Sequence, residues 1–223
     1  MSRKTWISLG VIVALMTGGG AYYVLNDCSK MKTVHIQPTS SGPIYEPLAT
    51  DHTSGNPKAN VVLIEYASPT CTLCANFMIN FYPKLEKDYI DTGKIFYVYR
   101  IFLRGTDDAV AEKLARCLPK RDYMYFNDAL FRFQPRWDHE FGIPSPDGVH
   151  AALMQMAGEW GLSAAYAWAC IANTADEAAL KRVGEDGVAK YAINTTPTFV
   201  INGHAQPGFD GIFSRLDSAL AGK

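Results

Sequence analysis

Glu65-Tyr66-Ala67-Ser68-Pro69-Thr70-Cys71-Thr72-Leu73-Cys74 (EYASPTCTLC) is the stretch whose reading decides the fold of this chain. It extends the run Val61-Val62-Leu63-Ile64, β-branched and apolar as in a strand buried on both faces. Ser68-Pro69 is a turn signal, and beyond it Phe77, Phe81, Leu85 and Tyr89 recur every four residues, the stripe of a helix packed on one side. Pro83 falls inside that stripe and should kink the helix. Asp91-Thr92-Gly93 ends it, and residues 94–103 (KIFYVYRIFL) read as a second strand. A strand, a helix and a strand in succession predict two parallel strands joined by a crossover. The cysteine pair then opens the helix.

A CxxC alone is ambiguous between a redox pair and half of a zinc site. Position discriminates. At a helix N-terminus the unpaired N–H groups and the macrodipole favour a thiolate on Cys71, and Cys74, one turn along, can close a disulfide with it. Zinc would need two more ligands, and the chain has no second CxxC and no HxxxH pair; a zinc site would have to recruit Cys117 and Cys170. Glu65 lies in the apolar strand six residues before Cys71. It is either an edge carboxylate facing water or a buried acid with a raised pKa, placed to exchange a proton with Cys74. Thr195-Thr196-Pro197-Thr198-Phe199 is the second element with chemical content. A proline entering an apolar strand marks a turn, a strand start or a cis bond. Beside the CxxC, a cis-proline would turn the Thr196 backbone toward the reactive sulfur and toward an extended substrate.

Outward from these motifs the chain reads as α/β. Residues 106–190 form a helical block, with helices expected at 107–118, 123–133, 146–160, 164–171 and 176–190. Thr198–Ile201 returns to strand, turns at Asn202-Gly203 and runs on to Gln206, and a last helix is expected at 210–220. Asp107 and Asp108 read as favourable charges at a helix N-terminus, and Trp137, Trp160 and Trp168 as core or surface of the helical block. None of the five histidines lies in a ligand motif.

Taken together, Glu65 to Cys74, the kinked helix, Leu114-Ala115-Arg116-Cys117 and Thr195 to Phe199 resemble the DsbA branch of the thioredoxin-fold superfamily, most closely its alphaproteobacterial members. The resemblance covers about residues 60–220 and implies a thioredoxin fold with an inserted helical domain. It implies that Cys71 is the exposed nucleophile, Cys74 the buried resolving thiol and Glu65 a proton-transfer group. Pro197 would be cis, with Thr196 contacting the substrate backbone. Thiol–disulfide exchange through a mixed disulfide would need no metal or organic cofactor. The 126 residues from Cys71 to Pro197 (197 − 71) exceed what a bare thioredoxin fold uses and suit the inserted helices. Cys117 and Cys170 are either reduced core cysteines or a structural disulfide; an oxidising compartment and relatives with such a second pair favour the disulfide. One departure stands out: strongly oxidising members carry Pro-His between the cysteines, where this chain has Thr72-Leu73. Without the imidazole the Cys71 thiolate loses a stabilising neighbour, so a weaker oxidant is expected, the Thr72 hydroxyl restoring part of the loss.

Composition agrees with a single domain carrying attachments. The 223 residues are 48% hydrophobic and 19% charged, which excludes a disordered chain, and the net charge of −1 excludes a globally basic nucleic-acid binder. Arg3 and Lys4 precede an apolar stretch, Trp6 to Leu25, long enough to span a bilayer core; residues 1–27 therefore read as a signal anchor or a cleaved signal peptide. Asn26 and Asp27 before Cys28 do not fit a lipobox, and Cys28, the odd one of five cysteines, has no assigned role. Residues 28–57, broken by Pro38, Gly42, Pro43, Pro47 and Gly55, read as a spacer ahead of a domain at 58–223. The expectation is an exported, periplasmic protein, tethered to the inner membrane by residues 6–25 if the segment is uncleaved. Its partners would be reduced or unfolded exported proteins and, by the resemblance, a quinone-linked membrane reoxidase. A reductase or isomerase, and a thioredoxin-fold chaperone with an incidental CxxC, are the alternatives.

Overall fold

Alternation along the strand before the cysteines sets the layers of the domain. Val62, Ile64 and Tyr66 point to one face of a sheet and pack with Leu180, Val183 and Ile193. Val61, Leu63 and Ala67 point to the other, into a larger core with Phe77, Leu114, Phe126 and Trp137. A strand sandwiched this way has no polar face, which is why its sequence shows an almost unbroken apolar run. The structure is a computed structural model that describes residues 45–143 and 145–222. The apolar segment 6–25, Cys28 and the first part of the spacer lie outside the described residues. Among the described residues no helix is long and apolar enough to cross a membrane.

The chain runs β1 (His52–Gly55), β2 (Val62–Ala67), α1 (Thr72–Asn80), α2 (Tyr82–Leu85), β3 (Phe96–Ile101), α3 (Thr106–Cys117), α4 (Lys120–Arg132), α5 (Gln134–Trp137), α6 (Pro146–Glu159), α7 (Ala164–Ile171), α8 (Thr174–Tyr191), β4 (Thr198–Ile201), β5 (His204–Pro207) and α9 (Ile212–Leu220). The sheet order is β1-β3-β2-β4-β5, and β2 and β3 are parallel, as the crossover required. β4 pairs antiparallel with β2 in a register that sets Glu65 beside Phe199. The cysteines at the C-terminal end of β2 and the Thr196-Pro197 link before β4 therefore meet at one edge of the same layer.

Three differences from the sequence reading have local causes. Pro83 breaks the first helix outright: α1 ends at Asn80, α2 restarts with the proline in its first turn, and a wide π-type turn follows at Glu86–Ile90. The eighth helix begins at Thr174, earlier than its apolar pattern, because the Asn173 side chain caps it by accepting from the N–H groups of Ala175 and Asp176. Residues 52–55, read as spacer, form edge strand β1, antiparallel to β3. The chain just before it is held by Arg100, whose guanidinium donates to Asp51 Oδ1 and Oδ2 (2.7 and 3.1 Å), to the Glu46 carbonyl (2.6 Å) and to the Tyr66 hydroxyl (3.0 Å). Ordered structure thus starts before Asn60.

The helical block α3–α8 is tied together by covalent and ionic links. Cys117 at the end of α3 and Cys170 in α7 form a disulfide with Cα atoms 6.3 Å apart. Beside it Lys113 bonds Glu177 (2.8 Å) and the Ile171 carbonyl (2.9 Å), and Arg116 bonds Asp176 (3.2 Å). Trp137 is fully buried and donates to the Leu130 carbonyl (2.9 Å), while Trp160 and Trp168 are partly exposed on the block. The bond between Cys117 and Cys170 closes a loop of 53 residues, so Cys117→Ala/Cys170→Ala should lose on the order of 2–4 kcal/mol of stability. Denaturant melts of the oxidised protein and the double variant check this; equal midpoints would show the bond to be idle.

Candidate active site

Cys71 is the N-cap of α1. Its backbone is extended (φ −82°, ψ 114°), and its sulfur accepts a hydrogen bond from the Cys74 N–H at 3.2 Å. Both Cys71 and Cys74 are free thiols here. Cys71 is 5% exposed and Cys74 not at all, so the nucleophile is less open than the expected exposed thiol. Leu73 between them is 56% exposed and, with Thr72, forms the outer wall.

Thr196 stands opposite. The Thr196–Pro197 peptide bond is cis, and the Cys71 thiol donates to the Thr196 carbonyl at 3.3 Å. The loop is held by its own bonds: Thr198 Oγ1 donates to the Thr195 carbonyl (2.8 Å), and the Gly208 N–H donates to the Pro197 carbonyl (2.8 Å).

The sulfurs sit in opposite environments. Hydrogen bonding from the Cys74 thiol, then from the Thr196 side chain and the backbone of Cys74 and Leu73, outweighs burial and lowers the Cys71 pKa to about 6. Burial, the neighbouring Cys71 and the charge of Glu65 push Cys74 well above the ordinary thiol value. One thiol is made to ionise and the other to keep its proton.

Glu65 lies in central strand β2, fully buried, and not at an edge. Burial raises its pKa to about 8, against the opposing hydrogen bond that Tyr97 donates to Oε2 at 2.6 Å. Its other oxygen has no partner among the described residues. A largely protonated carboxyl group near neutrality can give up or take a proton at little cost.

Three further residues grip the loop ahead of Cys71, and sequence reading missed their role. Asp108, in the first turn of α3, is fully buried. Its Oδ1 accepts from Ser68 Oγ (2.8 Å) and the Thr70 N–H (2.9 Å); Oδ2 accepts from the N–H groups of Arg104 (2.6 Å) and Gly105 (3.2 Å). Gln134, first residue of α5, donates through Nε2 to the carbonyls of Pro69 (2.6 Å) and Cys71 (3.2 Å). Arg104 donates to the Thr70 carbonyl (3.2 Å). The α3 start exposed Asp108 as a capping acid, but no local signal marks Gln134, whose partners are 63 and 65 residues away. Cys117 and Cys170 belong to the helical block and not to this cluster. No group of three or more His, Cys, Asp or Glu that could hold a metal occurs among the described residues.

Comparison with known proteins places this geometry in a family. A family model described as thioredoxin matches residues 48–208, from before β1 through β5. A Rickettsia prowazekii protein that carries the name of a protein-disulfide oxidoreductase is 29% identical over 201 residues, covering 88% of this chain and 71% of that one. A similarly named protein of Rickettsia conorii is 31% identical over 175 residues, covering 76% of this chain and 60% of that one. Among solved structures, alpha-DsbA1 of Wolbachia pipientis superposes with a TM-score of 0.70 at 27% identity, covering 78% of this chain and 93% of that chain. BdbD of Bacillus subtilis, at 20% identity and a TM-score of 0.65 over 77% of this chain and 94% of that one, shares the fold. With this match running through the CxxC helix, the Thr196-Pro197 link and the helices between them, the chain belongs to the thioredoxin family, among its DsbA-like thiol:disulfide oxidoreductases.

Proposed function

We propose that this protein is an exported dithiol oxidase that introduces disulfides into translocated proteins. The observation that carries the reading is the split between the two thiols: Cys71 capping α1 with its pKa lowered, Cys74 beneath it with its pKa raised. In the oxidised protein a substrate thiolate attacks the Cys71 sulfur. The Cys71–Cys74 bond breaks, a mixed disulfide forms on Cys71, and Cys74 leaves with the electron pair. Buried, it needs a proton, which Glu65 supplies. A second substrate thiolate then attacks the substrate sulfur of the mixed disulfide, and Cys71 departs as a stabilised thiolate. Two substrate thiols have become a disulfide, and the enzyme disulfide has become two thiols.

Thr196 pairs with the extended substrate backbone while this occurs, and Pro197 holds that residue in place. The cycle closes when a membrane partner, by family analogy quinone-linked, removes two electrons from the dithiol. Substrates are reduced, unfolded exported chains, and the periplasm is the compartment, in keeping with the Cys117–Cys170 disulfide. Tethering by residues 6–25 belongs to the same proposal.

Oxidised protein mixed with a reduced unfolded substrate, with no other oxidant, should transfer about one disulfide per molecule. Cys71→Ser should abolish transfer, and Cys74→Ser, which has no disulfide to give, should instead trap a mixed disulfide when offered a disulfide-bonded substrate, the Cys71 thiolate attacking that bond and releasing one substrate thiolate. A reductase or isomerase would instead rescue scrambled substrate while keeping its own pair reduced, and a chaperone would be indifferent to Cys71→Ser. Transfer surviving Cys71→Ser would sink the proposal.

Acidity gives a second test. The thiolate absorbance of the reduced protein should titrate near 6, well below the range of a free cysteine. Because the folded pKa is depressed, the stability that the thiolate lends the reduced form is complete above the unfolded value and vanishes as pH falls through about 6. The melting temperature of the reduced form relative to the oxidised form should therefore climb from pH 5 toward pH 9. A flat difference would contradict the assignment.

Glu65 titrates in the opposite sense. Its folded pKa is raised, so the folded state loses stability as pH rises from the carboxylate range through about 8. Glu65→Gln should remove that loss, stabilising the protein at neutral pH, while slowing disulfide transfer on the order of a hundredfold. A variant equally stable and equally fast would remove Glu65 from the mechanism.

A further inference from the structure

The loop Ser68–Cys71 has three backbone carbonyls and one N–H held by side chains from outside the thioredoxin core. The Ser68 carbonyl accepts from the Cys71 N–H at 3.0 Å within the loop. Ser68 Oγ also meets Thr70 Oγ1 at 3.2 Å, and Cys71 bonds α1 and Thr196; the remaining contacts of the stretch go to the helical block or its entry. Asp108 takes the Ser68 hydroxyl and the Thr70 N–H, Arg104 takes the Thr70 carbonyl, and Gln134 takes the carbonyls of Pro69 and Cys71. Gln134 is 3% exposed and Asp108 fully buried, so water does not compete for these bonds.

This has a direct effect at the sulfur. Carbonyl oxygens carry the negative end of the peptide dipole and oppose a nearby thiolate, while N–H groups favour it. Anchoring the carbonyls of Pro69, Thr70 and Cys71 to donors in the block fixes the peptide planes and keeps Cys71 in the extended cap conformation. In that conformation the Cys74 N–H reaches the Cys71 sulfur at 3.2 Å. Hydrogen-bond strength falls steeply with angle and distance, so a loosened loop would lose that donor first.

We propose that the helical block sets the reactivity of Cys71 through Gln134 and Asp108, positioning residues that hold the Ser68–Cys71 backbone so that the α1 N–H groups stay aimed at the sulfur. The residues between the cysteines then share this control with a glutamine 63 residues downstream of Cys71. The inference rests on the reading of Cys71 as the nucleophile. The titratable and charged groups around the loop are Cys74 on α1, Glu65 on β2, Asp108 on α3, and Arg104 with its partner Glu140 at 3.6 Å. Neither test variant alters any of them.

Gln134→Met keeps the volume and removes both donors; Ser68→Ala deletes one oxygen and leaves three donors on the Asp108 carboxylate. Each reduced protein is titrated by thiolate absorbance and equilibrated with glutathione at pH 7, with circular dichroism to establish folding. Gln134→Met should raise the Cys71 midpoint by about one pH unit, a tenfold loss of thiolate stabilisation, and Ser68→Ala should raise it by less. The glutathione equilibrium should move several-fold toward the oxidised form, since the reduced form has lost its stabilised thiolate. A merely structural glutamine would lower the melting temperature and leave both readouts where they were. A folded Gln134→Met with unchanged midpoint and equilibrium overturns the inference. Should Gln134→Met not fold, an unchanged Ser68→Ala overturns it. Failure of the reading of Cys71 as nucleophile looks different, because disulfide transfer by the protein would then survive Cys71→Ser.

Discussion

A sulfur as enclosed as Cys71 can hold a negative charge only while hydrogen-bond donors are aimed at it, first the Cys74 thiol, then Thr196 and the N–H groups at the start of α1, and on that cluster the site depends. The bond from the Cys74 N–H at 3.2 Å exists because Cys71 caps α1 in an extended conformation, which requires β2 to end at Ala67 and the chain to turn at Ser68-Pro69. The sheet supplies the rest of the frame. Pairing of β4 with β2 brings Thr196 to the sulfur, and the parallel pairing of β2 with β3 leads the chain directly into Arg104 and Asp108.

Beneath the cysteines the core holds a row of polar groups that a purely stabilising design would avoid. Glu65 is bonded by Tyr97, Tyr99 reaches Asn127 at 3.5 Å, and Tyr123 bonds Glu112 at 2.7 Å. Burial raises both glutamates to about 8. In the proposed exchange the burden at Glu65 has a chemical use, since Cys74, whose ionisation the Glu65 charge opposes, must gain a proton whenever it leaves. Glu112 lies beside the stacked His52 and Tyr123, where burial lowers the histidine to about 3, so that pair stays uncharged in the core.

Much of this was legible in the sequence, for identifiable reasons. Apolar runs and turn residues are local signals, so β2, β3, β4 and most helices fall within a few residues of their expected bounds. The CxxC at a helix start and a proline entering a strand are also local, and they mark both halves of the site. The strand β1 was hidden because His52–Gly55 is short and polar, ends in glycine and is followed by Asn56-Pro57; its order comes from pairing with β3 and from the Arg100–Asp51 contact. Gln134 was hidden for a similar reason. It lies in a four-residue helix with no periodicity, and its two partners are loop carbonyls brought near only by the packing of α5 against the active-site loop. Asp108 gave half its meaning, since a helix cap is local and a grip on Ser68 and Thr70 is not.

If the hydrogen bonds gathered at the start of α1 carry the thiolate, replacing the Pro-His of strongly oxidising relatives with Thr72-Leu73 should soften the oxidant without abolishing it. The midpoint potential of the Cys71–Cys74 couple, from equilibration of the wild-type protein with glutathione, is the most direct measure. It should fall between about −270 mV, typical of thioredoxin, and about −120 mV, typical of the strongest DsbA oxidants. A value at either limit would contradict it, since the upper one would mean that the missing imidazole is of no consequence and the lower one that the donors around Cys71 do not stabilise its thiolate.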